Sequence, residues 1–148
     1  VLTGKEGDIF YEFLLKPREI AISKDTDLAK VFEIKEIYFD LNKSNIRPDA
    51  AVELAKIVEV MKQYPKMKID IRSHTDSRAT DAYNLALSDR RAKSTLEWIV
   101  KQGIDRKRLK AKGYGETQLV NGCSNGVPCT EEQHQANRRS EFIVVSMD

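Results

Sequence analysis

The strongest constraint on this chain is a change of apolar period that repeats along its length. Ala51, Leu54, Ala55, Val58 and Met61 recur at three- and four-residue steps, which gives a helix one apolar face. Met67, Ile69 and Ile71 then alternate with Lys66, Lys68, Asp70 and Arg72, the period of a half-buried strand. The helical period returns with Leu85, Ser88, Ala92, Leu96 and Ile99 on one face. A chain that switches period in this way must stack helices on a sheet, because each helix has one stripe to bury and each strand one face.

Local signals set the boundaries. VFEIKEIYFD, from Val31 to Asp40, is rich in β-branched and aromatic residues and reads as a buried strand ended by the polar LNKSN. Pro48 suits the first turn of the first long helix, and Tyr64-Pro65 stops it. The second helix runs from about Asp81 to Gln102, with Gly103 as its C-terminal stop. RLKAKGYG is a strand whose glycines allow close backbone approach, and EFIVVS closes the chain as a last apolar strand. Between them, Thr130 and Gln133 form a capping box for a short helix through Asn137. The expected fold is an α/β (α+β) two-layer sandwich of order βαβαβ(α)β. Right-handed crossovers would put its two long helices on one side of a four-stranded mixed sheet.

At 148 residues the chain has the length of one domain. Residues 1–30 show no sustained period; Ile9, Phe10, Phe13, Leu14 and Leu15 form a short apolar cluster in what reads as an N-terminal arm or the end of an upstream region. Residues 31–148 are expected to form the domain. The arm's apolar residues fit packing in cis or onto a partner, so the oligomeric state stays open. The chain opens on Val1 without a basic and apolar leader, and reads as a piece of something longer. It has no apolar run long enough to span a membrane as a helix. Its 25 basic and 23 acidic side chains nearly cancel, which argues against a nucleic-acid footprint.

Cys123 and Cys129 bracket SNGVP, a turn-rich segment. They read either as a local disulfide, which favours an oxidising compartment, or as two free thiols. Closing so short a loop contributes only about 2 kcal/mol, so a bridge would shape the loop more than hold the fold.

The polar groups hardest to explain as surface filler cluster around the loop after the second strand. Asn84, Ser88 and Arg91 fall at i, i+4 and i+7 and share a helix face. Asp76 lies just past the carboxyl end of a strand, where open α/β sheets place binding residues. The turn back into the helix allows Asp76 and Arg91 to converge, either as a structural ion pair or as a binding site.

Four separated stretches carry a family resemblance. HTDSRATDAYNLALSDRRA resembles the OmpA-like motif, in which H-T-D is followed by Y-N, L-S and R-A. IYFDLNKSNI resembles that family's opening strand and loop, KGYGE its third strand, and NRRSEF its N-R-R element. Together they cover roughly residues 34 to 145 in the family's order. The resemblance implies a non-catalytic domain without cofactor that binds peptidoglycan noncovalently through the diaminopimelate of the stem peptide. It would thereby anchor an outer-membrane protein on the periplasmic side of a Gram-negative outer membrane. The missing upstream region would be a barrel, a lipoprotein tether or soluble repeats. Asp76 would accept the ligand ammonium and Arg91 would clamp its carboxylate with a two-pronged pair that lysine reproduces poorly. By the same resemblance Asn42, Thr75, Asn84 and Arg138 line the site, while Arg90 and Arg139 are solvated neighbours. The family has glycine before H-T-D where this chain has Ser73, which fits if the backbone there needs no positive φ.

Three other readings compete. A hydrolase built on His74 would need a nucleophile or a water held by several ligands, whereas the motif segment offers one histidine and scattered carboxylates, so His74 reads as a packed or hydrogen-bonded strand-end residue. Zinc held by Cys123, Cys129 and His134, with His74 as a fourth ligand, requires a C-x5-C-x4-H spacing wider than the usual knuckle. An RNA-binding α/β domain would need exposed aromatics beside a basic stripe, whereas Tyr38, Phe39 and Tyr114 read as core or pocket wall.

Overall fold

The computed structural model describes residues 22–34, 36–39 and 43–147. The apolar cluster expected between Ile9 and Leu15 lies outside them. A short helix α1 (Leu28–Val31) is followed by α2 (Pro48–Gln63), β1 (Lys68–His74), α3 (Asp81–Lys101), a 3-10 turn (Arg106–Arg108), β2 (Leu109–Gly115), α4 (Glu131–Asn137) and β3 (Ser140–Ser146). Among the described residues the sheet has three strands in the order β2-β1-β3, with β1 parallel to β2 and antiparallel to β3. The architecture is the expected mixed α/β one.

The helices end where their residues say they must. Pro48 occupies the first turn of α2, and Gly103 takes a φ of +102° just beyond α3. Thr130 and Gln133 cap α4 reciprocally. One apolar cluster joins Leu54, Ile57 and Met61 of α2 and Ala92 and Ile99 of α3 to Ile69 and Ile71 of β1 and Phe142 and Val144 of β3. Burying that surface is the main favourable term holding the layers together.

The expected strand from Val31 to Asp40 is not a strand among the described residues. Val31 closes α1, and residues 36–39 run without ladder pairing. The edge of β3 is instead engaged from further upstream: Asp25 N donates to Val144 O at 2.7 Å, Val144 N to Thr26 O at 2.8 Å, and Asp27 bridges Ile143. Asp27 also accepts from Ala29 N, as the N-cap of α1, and from Phe142 N, both at 3.0 Å. With those positions taken, Phe32 and Ile37 serve the core as packing residues. Leu28 is fully buried there, so residues 25–28 are tied to the same core as the rest of the domain.

The two glycines of KGYG set the approach of α3 to β2. A Cβ on Gly113 would lie 2.0 Å from Asp89 N and 2.4 Å from Ser88 C, both helix backbone. Gly113 N donates to Asp89 Oδ1 at 3.2 Å and Gly115 N to Ser88 Oγ at 2.9 Å, so helix and strand are hydrogen-bonded where they touch. This contact also corrects the expected apolar face of α3. The backbone of Leu85 sits against Gly115, the residue is 48% exposed, and the buried positions are Asn84, Leu87, Ser88, Ala92, Thr95 and Ile99.

Candidate ligand-binding site

The loop after β1 is pinned on both flanks by its neighbours. His74 N donates to Arg139 O at 2.9 Å and Thr75 N to Gly115 O at 2.8 Å, so the loop leaves the sheet between the end of β2 and the start of β3. Ser73 is buried and its φ is not positive, so its side chain is accommodated without backbone strain. Thr75 Oγ1 donates to Asp76 O at 2.9 Å. Asn84, in the first turn of α3, donates from Nδ2 to Asp76 O at 3.1 Å and Ala79 O at 3.3 Å. Thr75 and Asn84 therefore hold the loop's shape with their polar atoms.

Asp76 is almost fully buried and multiply bonded. Its Oδ1 accepts from the backbone N–H of Arg78 at 3.0 Å, the geometry of an Asx turn. Its Oδ2 accepts from Arg78 Nε at 3.2 Å, Arg78 Nη2 at 2.9 Å and Arg138 Nη1 at 2.7 Å. Burial alone would raise the carboxyl pKa, but the bonds from Arg78 and Arg138 outweigh it and hold the group down to about 2. Glu131, at the start of α4, accepts from both arginines at 2.7 Å, so two acids and two guanidiniums form a closed ring.

Arg91 projects from α3 toward the segment before α2. Its Nε donates to Lys43 O at 3.0 Å, and its guanidinium carbon lies 4.8 Å from the centre of the Phe39 ring. These two contacts fix the plane of the fork, and burial pushes its pKa down. Asp76 and Arg91 line one open cavity of about 500 Å³, and Thr75, Asn84 and Arg138 line it too. Asn42 lies outside the described residues.

One expectation changes, one holds and one alternative is removed. Arg139 is no solvated neighbour: it lines the same cavity, donates from Nη2 to Gln118 O at 3.0 Å and pairs with Glu141 at 3.5 Å. His74 is packed as expected, with its ring stacked on Tyr114 at 5.4 Å and Nε2 2.7 Å from Glu141 Oε1. Burial, and then the nearby Arg139 charge, lowers its pKa. Cys123 and Cys129 are bonded to each other, with Cα atoms 6.1 Å apart, so the zinc reading loses both of its thiolates. The disulfide loop is docked on the site, because Ser77 Oγ donates to Cys123 O and Asn137 gathers Val120 N and Asn121 Oδ1. Arg78 and Glu131 were not singled out from the sequence. The D-x-R spacing of an Asx turn is the one local signal that could have drawn attention to Arg78.

The sequence pattern of the OmpA family matches residues 38–138. Among similar proteins, outer membrane porin F of Pseudomonas fluorescens is 36% identical over 118 residues, which cover 79% of this chain and 35% of the porin. A photosystem I P700 chlorophyll a apoprotein A2 of Gloeobacter violaceus is 39% identical over 113 residues, 74% of this chain and 13% of that protein. The chain thus spans about a third of the porin and about an eighth of the photosystem protein. Among solved structures, the peptidoglycan-associated lipoprotein of Burkholderia pseudomallei superposes with a TM-score of 0.63 at 25% identity, over 74% of this chain and 90% of that one.

Proposed function

Because this chain belongs to the OmpA family, we propose that it is a non-catalytic module that binds peptidoglycan through the diaminopimelate of an uncross-linked stem peptide. In that role it anchors an outer-membrane protein to the cell wall from the periplasmic side of a Gram-negative outer membrane. The observation that carries the reading is the pairing of a buried carboxylate and an oriented guanidinium on one cavity: Asp76 from the loop after β1 and Arg91 from the face of α3. A free diaminopimelate end presents an ammonium and a carboxylate on one carbon. Asp76, held ionised, is the acceptor for the ammonium, and Arg91 clamps the carboxylate. The names of the similar proteins, a porin of the outer membrane and a peptidoglycan-associated lipoprotein, support the same reading. So does the disulfide, which suits an oxidising compartment. Many weak sites along a polymer hold by avidity, so each single site needs only modest affinity.

The test is co-sedimentation with purified sacculi, with folding followed by circular dichroism. The parent should pellet, and Asp76→Asn and Arg91→Ala should stay in the supernatant while keeping native spectra. Arg91→Lys should bind at least about tenfold more weakly, because an ammonium cannot hold the Lys43 carbonyl, stack on Phe39 and fork a carboxylate together. Folded Asp76→Asn or Arg91→Ala protein that pellets like the parent would overturn the proposal.

A further inference from the structure

The seat that Asp76 offers to a ligand ammonium is already occupied. Oδ2 takes three N–H groups, two of them from Arg78, and Oδ1 takes the Arg78 backbone N–H. The side chain of Asp76 is only 11% exposed, so an incoming ammonium cannot simply add to this set; it must replace one member. Arg138 is poorly placed to leave, being 29% exposed and bonded at 2.7 Å to Asp76 and to Glu131 alike. Arg78 is 49% exposed, and its Nη1 already rests on Glu131 at 2.7 Å. Glu131 is 62% exposed and can keep the guanidinium when Asp76 lets it go.

We propose that Arg78 is a specificity-determining residue: a displaceable internal cation that fills the ammonium seat of Asp76 and passes to Glu131 when a cationic ligand enters. This rests on the peptidoglycan reading of the site and adds to it a rule for what the site accepts. A ligand with a primary ammonium replaces the charge that Arg78 withdraws, so the carboxylate keeps two cationic partners, the ligand and Arg138. A ligand without one, such as a dicarboxylate of the same length, would have to leave Arg78 in place and gains nothing from Asp76. The resting pair lowers affinity for every cationic ligand by the fraction of time the seat is closed. Glu131 moderates this by giving the departing guanidinium a second home.

The test is a double-mutant cycle on the whole chain, titrated with meso-diaminopimelate and with pimelate and followed by amide chemical shifts of residues 74–91. Arg78→Ala should bind meso-diaminopimelate about threefold more tightly, a change of the size that an exposed ion pair supports. Pimelate binding should not improve. Glu131→Gln should weaken meso-diaminopimelate binding about twofold in the parent background and have no effect once Arg78 is alanine. If Arg78→Ala binds meso-diaminopimelate more weakly, Arg78 is a ligand contact and the displacement idea is wrong. Equal effects of Glu131→Gln in both backgrounds would also overturn it, because they would reflect only the change in local charge. Should the parent fail to bind meso-diaminopimelate or sacculi at all, it is the underlying peptidoglycan reading that falls.

Discussion

Asp76 offers a test of the site's electrostatics that needs no ligand. In the folded protein its carboxyl is held from an ordinary 3.8 down to about 2 by Arg78 and Arg138. A depressed folded pKa means that the unfolded chain takes up its proton first as pH falls, so the stability contribution is complete above the unfolded value and disappears toward about pH 2. At roughly 1.4 kcal/mol per pH unit the full difference would be about 2 kcal/mol. Solvent screening at the half-exposed Arg78 brings the expectation to between about 1 and 2 kcal/mol. Asp76→Asn keeps an acceptor for the Arg78 backbone N–H but mimics the protonated acid, so it isolates the charge. Urea unfolding of the parent and of Asp76→Asn should therefore differ by that amount near pH 6. The two curves should converge below about pH 4, as the unfolded chain protonates and stability is lost. Other carboxylates titrate in both proteins and cancel in the difference, apart from Glu131 in the same ring. A gap that stays constant from about pH 6 down to about pH 2 would show that the charge of Asp76 adds nothing to the fold.

Two further predictions concern the frame around the site. Gly113→Ala would drive a Cβ to 2.0 Å from the α3 backbone, where no side chain can yield, and should cost about 3 kcal/mol or more by urea unfolding. A loss under about 0.5 kcal/mol would mean that α3 can lift off β2 freely. Reducing the Cys123–Cys129 bond should lower stability by about 2 kcal/mol and shift the amides of residues 75–78, because Ser77 Oγ is bonded to Cys123 O. Unchanged amides at those positions would show that the disulfide loop does not support the site.

The parts of this fold that were legible in the sequence are those governed by local rules. Period, proline, glycine and the Thr130/Gln133 box located α2, α3 and α4 to within a residue or two, because caps and stripes are properties of adjacent positions. The run from Val31 to Asp40 failed for the opposite reason. An apolar, β-branched stretch can be buried as a strand or as packing, and the choice depended on residues 25–27 reaching the edge of β3, more than a hundred positions away in the chain. Leu85 was misplaced on the buried face of α3 by the same kind of distant cause, the backbone of Gly115.

The site divides along the same line. The motif placed Asp76, Thr75, Asn84, Arg91 and Arg138 together, and all five line one cavity, because their positions follow from one loop, one helix face and one strand start. What sequence spacing could not convey is who bonds to whom at rest. Asp76 has Arg91 as a cavity neighbour, yet its bonds run to Arg78, two residues along, and Arg138, sixty-two residues along. A carboxylate buried this deeply cannot wait for its ligand unpaired, since an uncompensated buried charge is far costlier than a borrowed one. At rest that compensation comes from Arg78 and Arg138 together. If Arg78 is the displaceable partner proposed above, its second anchor on Glu131 is what lets a ligand cation take its place at Asp76 without unpairing either charge.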